Sequence, residues 1–320
     1  MYGLQELKQH IQVSDDSVEC PVQNCPRFVK RQRKSFKRDL KFYCADHGIY
    51  ISPSTFEYFD MKENLLWKDI DDLRLLDNIF KVKRESRMAR NNSEDALSWN
   101  VFRYLEKSNQ LDWYLSNISG KIINNSKILY WSFSQDEGTK LSLLKMASSE
   151  FGEKPNRGSE PDIIILSKNN LFFIEAKFTA TNNTKPSNLL DSKKYIHGAD
   201  NWFDKVFKAS YQEIAINNKK YELMRFWLLG SWMAKELNCD FHLVNLVLED
   251  REQEIMSDFS PLIEQNIHNR FSRQTWEGIY RLLKDRTFID HNKKLMFSYF
   301  NNMTMSYPIN GKLQKAFYVI

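Results

Sequence analysis

The chain has 320 residues, 42% of them apolar, with 22 Phe and 8 Trp; it can bury a core and is no disordered tail. Charged residues make up 27% and the formal net charge is +5, too small an excess to define a polyanion-binding protein by itself. No run approaches the roughly eighteen apolar residues of a membrane helix, and residues 1–10 carry no signal-peptide core. The expectation is a soluble, cytoplasmic protein whose four cysteines serve metal binding or burial, not disulfides.

The first fifty residues contain Cys20-x4-Cys25, eighteen intervening residues, and Cys44-x2-His47. Two close pairs joined by a loop are what a tetrahedral Zn²⁺ site requires, and the ion would supply folding energy that so short a segment cannot obtain from a core. Pro21, Pro26 and Gly48 suit the turns around the ligands. The downstream Cys-x2-His pair sets the pattern apart from a two-Cys, two-His DNA-reading finger. The loop between the half-sites carries Arg27, Lys30, Arg31, Arg33, Lys34, Lys37, Arg38 and Lys41, opposed within it only by Asp39. Phe28, Phe36, Phe42 and Tyr43 are interleaved with these charges. One reading is a nucleic-acid grip of cations and stacking rings, the other that the rings form the mini-core of the zinc domain; a mixture is expected, with rings inside and cations outside, and the plain alternative for the charges is a solvated loop on a small domain.

Leu65, Leu66, Ile70, Leu73, Leu76 and Ile79 recur at helical spacing, followed by a basic stretch over residues 81–90. Ser93 caps a further helix, with Ala96, Leu97, Val101, Phe102 and Leu105 as its buried stripe. A short helix is expected near 112–117, a strand over 127–133, a helix over 139–151 and a hairpin over 161–178. A polar loop follows over 179–194, then helices near 200–216 and over 221–237, and a strand over 241–248. Cys239, just before that strand, is expected to be a core thiol. The remainder, 258–320, reads as mainly helical, ending in strand-like pieces. The expected organisation is a zinc-binding domain (1–60), a helical linker (61–92), an α/β core (93–257) and a mainly helical extension (258–320).

The hairpin carries the chemistry. Glu160-Pro161-Asp162 is followed after twelve residues by Glu175-Ala176-Lys177. If Asn169-Asn170 forms a two-residue type I′ turn, Lys168 pairs with Leu171, Asp162 falls opposite Lys177, and Glu175 falls opposite Ile164. All three functional groups then share one face; a three-residue turn without a bulge would split them. Asp162 and one oxygen of Glu175 would bind Mg²⁺ or Mn²⁺, with the Ala176 carbonyl as a further ligand. Lys177 would orient the attacking water or stabilise charge on phosphorus. This is the equipment for phosphodiester hydrolysis.

These residues resemble the PD-(D/E)XK nuclease superfamily, which has a restriction-endonuclease-like fold: a central mixed β-sheet flanked by helices. The resemblance covers the order of elements from Ser93 to about Glu249, with a helix inserted between the 127–133 strand and the hairpin. It implies a third metal-binding acid on the first core helix. Glu94 matches that position, Asp95 is its neighbour, and Glu160 is an alternative acid beside the motif. The implied activity is Mg²⁺- or Mn²⁺-dependent endonucleolytic cleavage of double-stranded DNA, of restriction, defence or mobile-element type, by a homodimer or with partner subunits. The competing reading is a catalytically silent nuclease fold acting as a nucleic-acid- or protein-binding factor. His197, Lys205, Lys208, Tyr211 and Gln212 are weaker candidates for lining a substrate cleft. Trp202, Phe203, Trp227 and Trp232 are expected in the core. No Gly-rich phosphate loop of the GxxxxGK[ST] kind is present.

Overall fold

The computed structural model describes residues 6–83, 86–154, 160–188, 192–287, 290 and 292–318. Arg84 and Glu85 of the basic stretch and residues 189–191 of the polar loop lie outside the described residues. In chain order the first elements are β1 (Ser17–Glu19), β2 (Phe28–Lys30), β3 (Tyr43–Cys44), β4 (Ile49–Ile51), β5 (Phe56–Tyr58) and α1 (Ile70–Phe80). Next come α2 (Glu94–Lys107), α3 (Leu111–Ser119), β6 (Lys127–Tyr130), β7 (Phe133–Ser134), β8 (Thr139–Lys140), α4 (Ser142–Glu150), β9 (Ile163–Leu166) and β10 (Asn170–Ala176). The chain continues with α5 (Ser192–Val206), α6 (Tyr221–Leu237), β11 (Asp240–Val247), α7 (Ile255–Phe259), β12 (Asn269–Thr275), α8 (Trp276–Asp285), α9 (Lys293–Asn302), β13 (Thr304–Ser306) and β14 (Gln314–Lys315). The residues form two compact units, each discontinuous in sequence. The first combines Met1–Leu73, Glu85–Ser108 and Glu277–Ile320; the second combines Arg74–Arg84 and Asn109–Trp276.

In the first unit, β1 pairs with β2, and β3-β4-β5 form a three-stranded antiparallel sheet. Cys20, Cys25 and Cys44 are buried with Val18, Ile49 and Ile51 in a small core. The C-terminal segment returns to this core: Tyr307 and Leu313 pack in it, and the Ile11 N–H donates to the Gly311 carbonyl at 2.9 Å. Gly311 sits at φ +76°, and a Cβ there would lie 1.8 Å from the Ile11 oxygen, so only glycine allows this contact. Ser93 caps α2 as its sequence implies, its hydroxyl accepting from the Ala96 N–H at 3.1 Å.

In the second unit, a five-stranded mixed sheet runs in the order β12-β11-β10-β9-β6. β6, β9 and β10 are antiparallel neighbours, whereas β10, β11 and β12 are parallel. This is the expected α/β core: a central mixed sheet flanked by helices. Every residue of β10 (NLFFIEA) is buried, as a strand covered on both faces should be. Register partners Leu129, Ile164, Phe173, Leu243 and Phe271 form an apolar row across all five strands, within one core shared with α4, α5 and α6. Phe203, Trp227 and Trp232 are buried in that core and Trp202 packs against it, as expected. Gly230 brings α6 close to the sheet; a Cβ there would lie 2.1 Å from the Phe241 ring.

The expected 127–133 strand is interrupted. β6 ends at Tyr130, and Trp131 and Ser132 follow at φ 46° and 65°, turning the chain into β7. β6 still pairs directly with β9, the inserted α4 notwithstanding. β12 is a sheet strand that the apolar pattern does not announce, since NRFSRQT buries only Phe271.

Candidate active site and metal centre

The hairpin register differs from the expected one. Leu171 pairs with Leu166 and Ile174 with Ile163, and Ser167 donates its N–H to the Asn170 carbonyl at 2.9 Å. The two-residue turn is therefore Lys168-Asn169, and neither residue has positive φ, so it is not type I′. Continuing this register puts Asp162 opposite Glu175 and not opposite Lys177. The slip is two residues, and side chains alternate with period two. The faces are thus preserved: Asp162, Glu175 and Lys177 share one side of the sheet.

They form the end of a polar row two residues beyond the apolar one. In register across the sheet stand Asp162, Glu175 (β10), Asn245 (β11) and Arg273 (β12). The Ala176 N–H donates to Asp162 Oδ2 at 3.0 Å, and the Trp131 N–H donates to the Asp162 carbonyl at 2.8 Å, fixing the acid at the strand end. Glu175 is 3% exposed. Its Oε1 accepts from Lys177 Nζ, and its Oε2 is buried with no hydrogen-bond partner. Burial drives its pKa well above the ordinary carboxyl value; the Lys177 ammonium opposes the shift, and the Asp162 and Glu222 carboxylates add to it. A buried, half-satisfied carboxylate beside a second one is a site short of positive charge. Hard oxygen donors of this kind fit Mg²⁺ or Mn²⁺.

Three features of this site lay beyond the sequence reading. Glu222, in the first turn of α6, places Oε2 3.7 Å from Lys177 Nζ. Asn245, fully buried beside Glu175, accepts from Asn182 Nδ2 at 2.7 Å and donates to Glu252 Oε2 at 2.8 Å. Glu252 also accepts the N–H of Asn182 at 2.6 Å, and Arg273 Nη2 donates to the carbonyls of Leu248, Glu249 and Arg251, pinning the loop that carries Glu252. A buried Asn inside the apolar run FHLVNLVL was the available signal for Asn245. No local pattern marks Glu222.

Glu94 occupies the first turn of α2 and is half-buried; Asp95 accepts the Arg87 N–H at 3.1 Å. Both belong to the first unit, whereas Asp162, Glu175 and Lys177 belong to the second. Glu160 is ion-paired with Lys140. His197 is exposed and meets Asn201 Oδ1 at 3.3 Å. Lys205 lies over the Trp202 ring, Lys208 pairs with Glu264 at 3.6 Å, Tyr211 stacks on Tyr195, and Gln212 is exposed.

The cysteine pattern converges as its spacing implies. The ligand atoms of Cys20, Cys25, Cys44 and His47 all lie within 4.8 Å of one another. Cys25 and Cys44 sulfurs are 3.9 Å apart, and His47 Nδ1 is 3.6 Å from the sulfurs of both Cys20 and Cys44. A tetrahedral zinc with Zn–S bonds of about 2.3 Å needs sulfur–sulfur edges of about 3.8 Å, slightly shorter to nitrogen. The group can therefore hold a zinc ion. Gly48, at φ 60°, turns β3 into β4 just past His47. The Cys44 thiol is pushed down to about 5, mainly by the neighbouring Cys20 thiol, with His47 and Cys25 assisting against burial. The same contact pushes Cys20 up.

The basic loop is less one-sided than its sequence. Arg27 pairs with Asp46, Arg33 with Asp15 at 3.3 Å, Arg38 with Glu57 at 3.7 Å, and Lys41 with Asp39 at 2.8 Å. Lys30, Arg31, Lys34 and Lys37 line a cleft of about 420 Å³ that also has Asp15 and Asp16 in its wall. Phe42 is buried and Phe28 is half exposed, so the rings divide between inside and outside.

The fold and these two centres define an α/β protein with one buried and one half-buried carboxylate at the ends of neighbouring central strands and a Cys3His zinc-type cluster. Residues 27–301 match the family described as Restriction Endonuclease associating with ARP. The match spans most of the chain, which belongs to that family; the description ties it to restriction endonucleases and a nuclease-like role. None of the curated proteins or solved structures matches the chain. Among the described residues, no helix is long and apolar enough to cross a membrane.

Proposed function

We propose that the chain is a metal-dependent endonuclease of the PD-(D/E)XK type that hydrolyses phosphodiester bonds in double-stranded DNA. The observation that carries the reading is the convergence of Asp162, Glu175 and Lys177 on one face, with Glu175 Oε2 buried and unpartnered. Family membership supports a nuclease-like role. Asp162 and Glu175 would hold Mg²⁺ or Mn²⁺, with the Ala176 carbonyl at the strand end as a further oxygen donor. The cation supplies Lewis acidity toward the scissile phosphate. The Ala176 N–H holds Asp162 in place. Lys177 contributes positive charge at the point where charge gathers on the phosphoryl oxygens, and a donor to orient the attacking water. The Asn245–Asn182–Glu252 network stiffens the strand beside Glu175 so that the carboxylate is held before substrate arrives. The zinc unit and its basic loop are proposed to engage the DNA backbone, and a double-strand cut from one site per chain calls for a homodimer or partner subunits.

The test is cleavage of a plasmid in Mg²⁺ or Mn²⁺ by the wild type and by Asp162→Ala and Lys177→Ala. Loss of at least about a hundredfold is expected for both variants. Equal cleavage by those variants overturns the site assignment. No metal-dependent cleavage of double-stranded DNA, single-stranded DNA or RNA by the wild type would leave the silent, nucleic-acid-binding reading.

A further inference from the structure

Lys177 is bound to the group that a cation would need. Its ammonium sits on Glu175 Oε1, and both side chains are largely shielded from water, at 11% and 3% exposure. A divalent cation arriving at Asp162 and Glu175 would meet that ammonium at the same carboxylate. In a partly desolvated site, like charges at such distances repel strongly. Lys177 must then yield Glu175 without leaving the site, because a buried ammonium with no counter-charge is itself costly.

One acid is placed to receive it. Glu222 Oε2 stands 3.7 Å from Lys177 Nζ, too far for a hydrogen bond and near enough for an ion pair. Closing to a charge-assisted bond of about 2.8 Å needs a movement of only about 1 Å, within the reach of a lysine rotamer adjustment. Glu222 is itself held: it lies in the first turn of α6, and its N–H donates to Thr184 Oγ1 at 2.9 Å. Its carboxylate is close enough to Glu175 to add to the upward push on that group's pKa, so the three charges already form one coupled set.

We propose that Glu222 is a positioning residue that takes Lys177 over from Glu175 when a divalent cation binds. Before binding, Lys177 neutralises Glu175. With a cation held by Glu175 and Asp162, Glu222 would keep Lys177 charged and aimed at the substrate edge. The hand-over rests on the reading of Asp162 and Glu175 as cation ligands, and its test separates the two.

The test is a double-mutant cycle on the full, zinc-loaded chain, read as Mn²⁺ affinity by calorimetry and as cleavage rate. Glu222→Gln removes the negative charge that would draw Lys177 away, so Lys177 stays on Glu175 and competes with the metal; a roughly tenfold loss of Mn²⁺ affinity is expected. In a Lys177→Gln background, which keeps a donor for Glu175 but removes the charge, Glu222→Gln is expected to change Mn²⁺ affinity less than twofold. Lys177→Met serves as the second background if Lys177→Gln does not fold. An equal loss in both backgrounds would mean that Glu222 acts on the cation directly, and overturns the hand-over. So does wild-type affinity of Glu222→Gln alone. If instead Asp162→Asn binds Mn²⁺ as the wild type does, the underlying assignment of the metal centre has failed, whatever the cycle shows.

Discussion

Cys44→Ser removes the residue most central to the Cys/His cluster. Its sulfur is 3.9 Å from that of Cys25 and 3.6 Å from His47 Nδ1, and the neighbouring Cys20, with His47 and Cys25, favours its thiolate. Structural zinc sites of this type contribute about 10–16 kcal/mol at neutral pH, so one ligand of four accounts for about 3–4 kcal/mol. In a unit of this size each kcal/mol displaces the unfolding midpoint by about 3–5 °C. The variant is therefore expected to lose its zinc on dialysis against a weak chelator, and the first unit to unfold about 10 °C or more below the wild type. Zinc per chain is measured by elemental analysis and unfolding by calorimetry. The control is Cys239→Ser: that thiol lies in the second unit, pushed up to about 11 by burial, and its loss should leave the zinc content unchanged. Stoichiometric zinc in dialysed Cys44→Ser, or a midpoint within about 2 °C of the wild type, refutes the assignment of the cluster as a structural zinc site.

Gly230→Ala pushes a methyl group toward the Phe241 ring, whose nearest carbon would lie 2.1 Å away. Overpacking costs about 1–3 kcal/mol and helix propensity returns about 1, so a lower thermal midpoint is expected where an exposed helix position would gain stability. His242 is buried, stacked on Phe172 and within 3.2 Å of Asn170 Oδ1; burial, with Lys121 and Arg270 assisting and Asp240 opposing, holds its pKa down to about 4. The unfolded imidazole binds a proton below about 6.5 while the folded one does not. Stability is therefore full above that value and falls with decreasing pH, by about 3 kcal/mol at most on reaching pH 4. Urea unfolding of wild type and His242→Gln should show the difference between them changing across that window; a constant difference would contradict it. Glu252→Gln replaces a carboxylate that accepts from Asn182 and Asn245 by an amide with half the acceptors. It is expected to destabilise the second unit by about 1–3 kcal/mol in urea unfolding and to weaken Mn²⁺ binding without abolishing it.

The hairpin shows why the centre of the candidate site could be read from sequence while its surroundings could not. The two-residue turn falls one residue earlier than Asn169-Asn170, and Lys168-Asn169 closes it without the left-handed backbone that a type I′ turn demands. Each partner thereby moves by two positions, an even number, so a faulty turn still delivered the right faces; an odd error would have sent Asp162 to the opposite side of the sheet. Period-two alternation is thus a more robust guide than turn chemistry. The cysteine spacing was legible for a related reason, since the ligands come from two tight local turns. Tertiary partners carry no such local mark. Glu222 reaches Lys177 from a separate helix, and the acids that offset the basic loop, Asp15, Asp46 and Glu57, come from segments outside its run of charge. β12 is held in the sheet by seven register pairs with β11 although it buries one large apolar residue, because an edge strand beside an already apolar neighbour needs backbone pairing more than hydrophobicity. Its Arg273 then connects the sheet to the candidate site: by pinning residues 248–251 it sets Glu252, which bonds Asn182 and Asn245, the latter in register with Glu175. A strand that apolar pattern reading passes over therefore supports the carboxylate that the motif makes most visible.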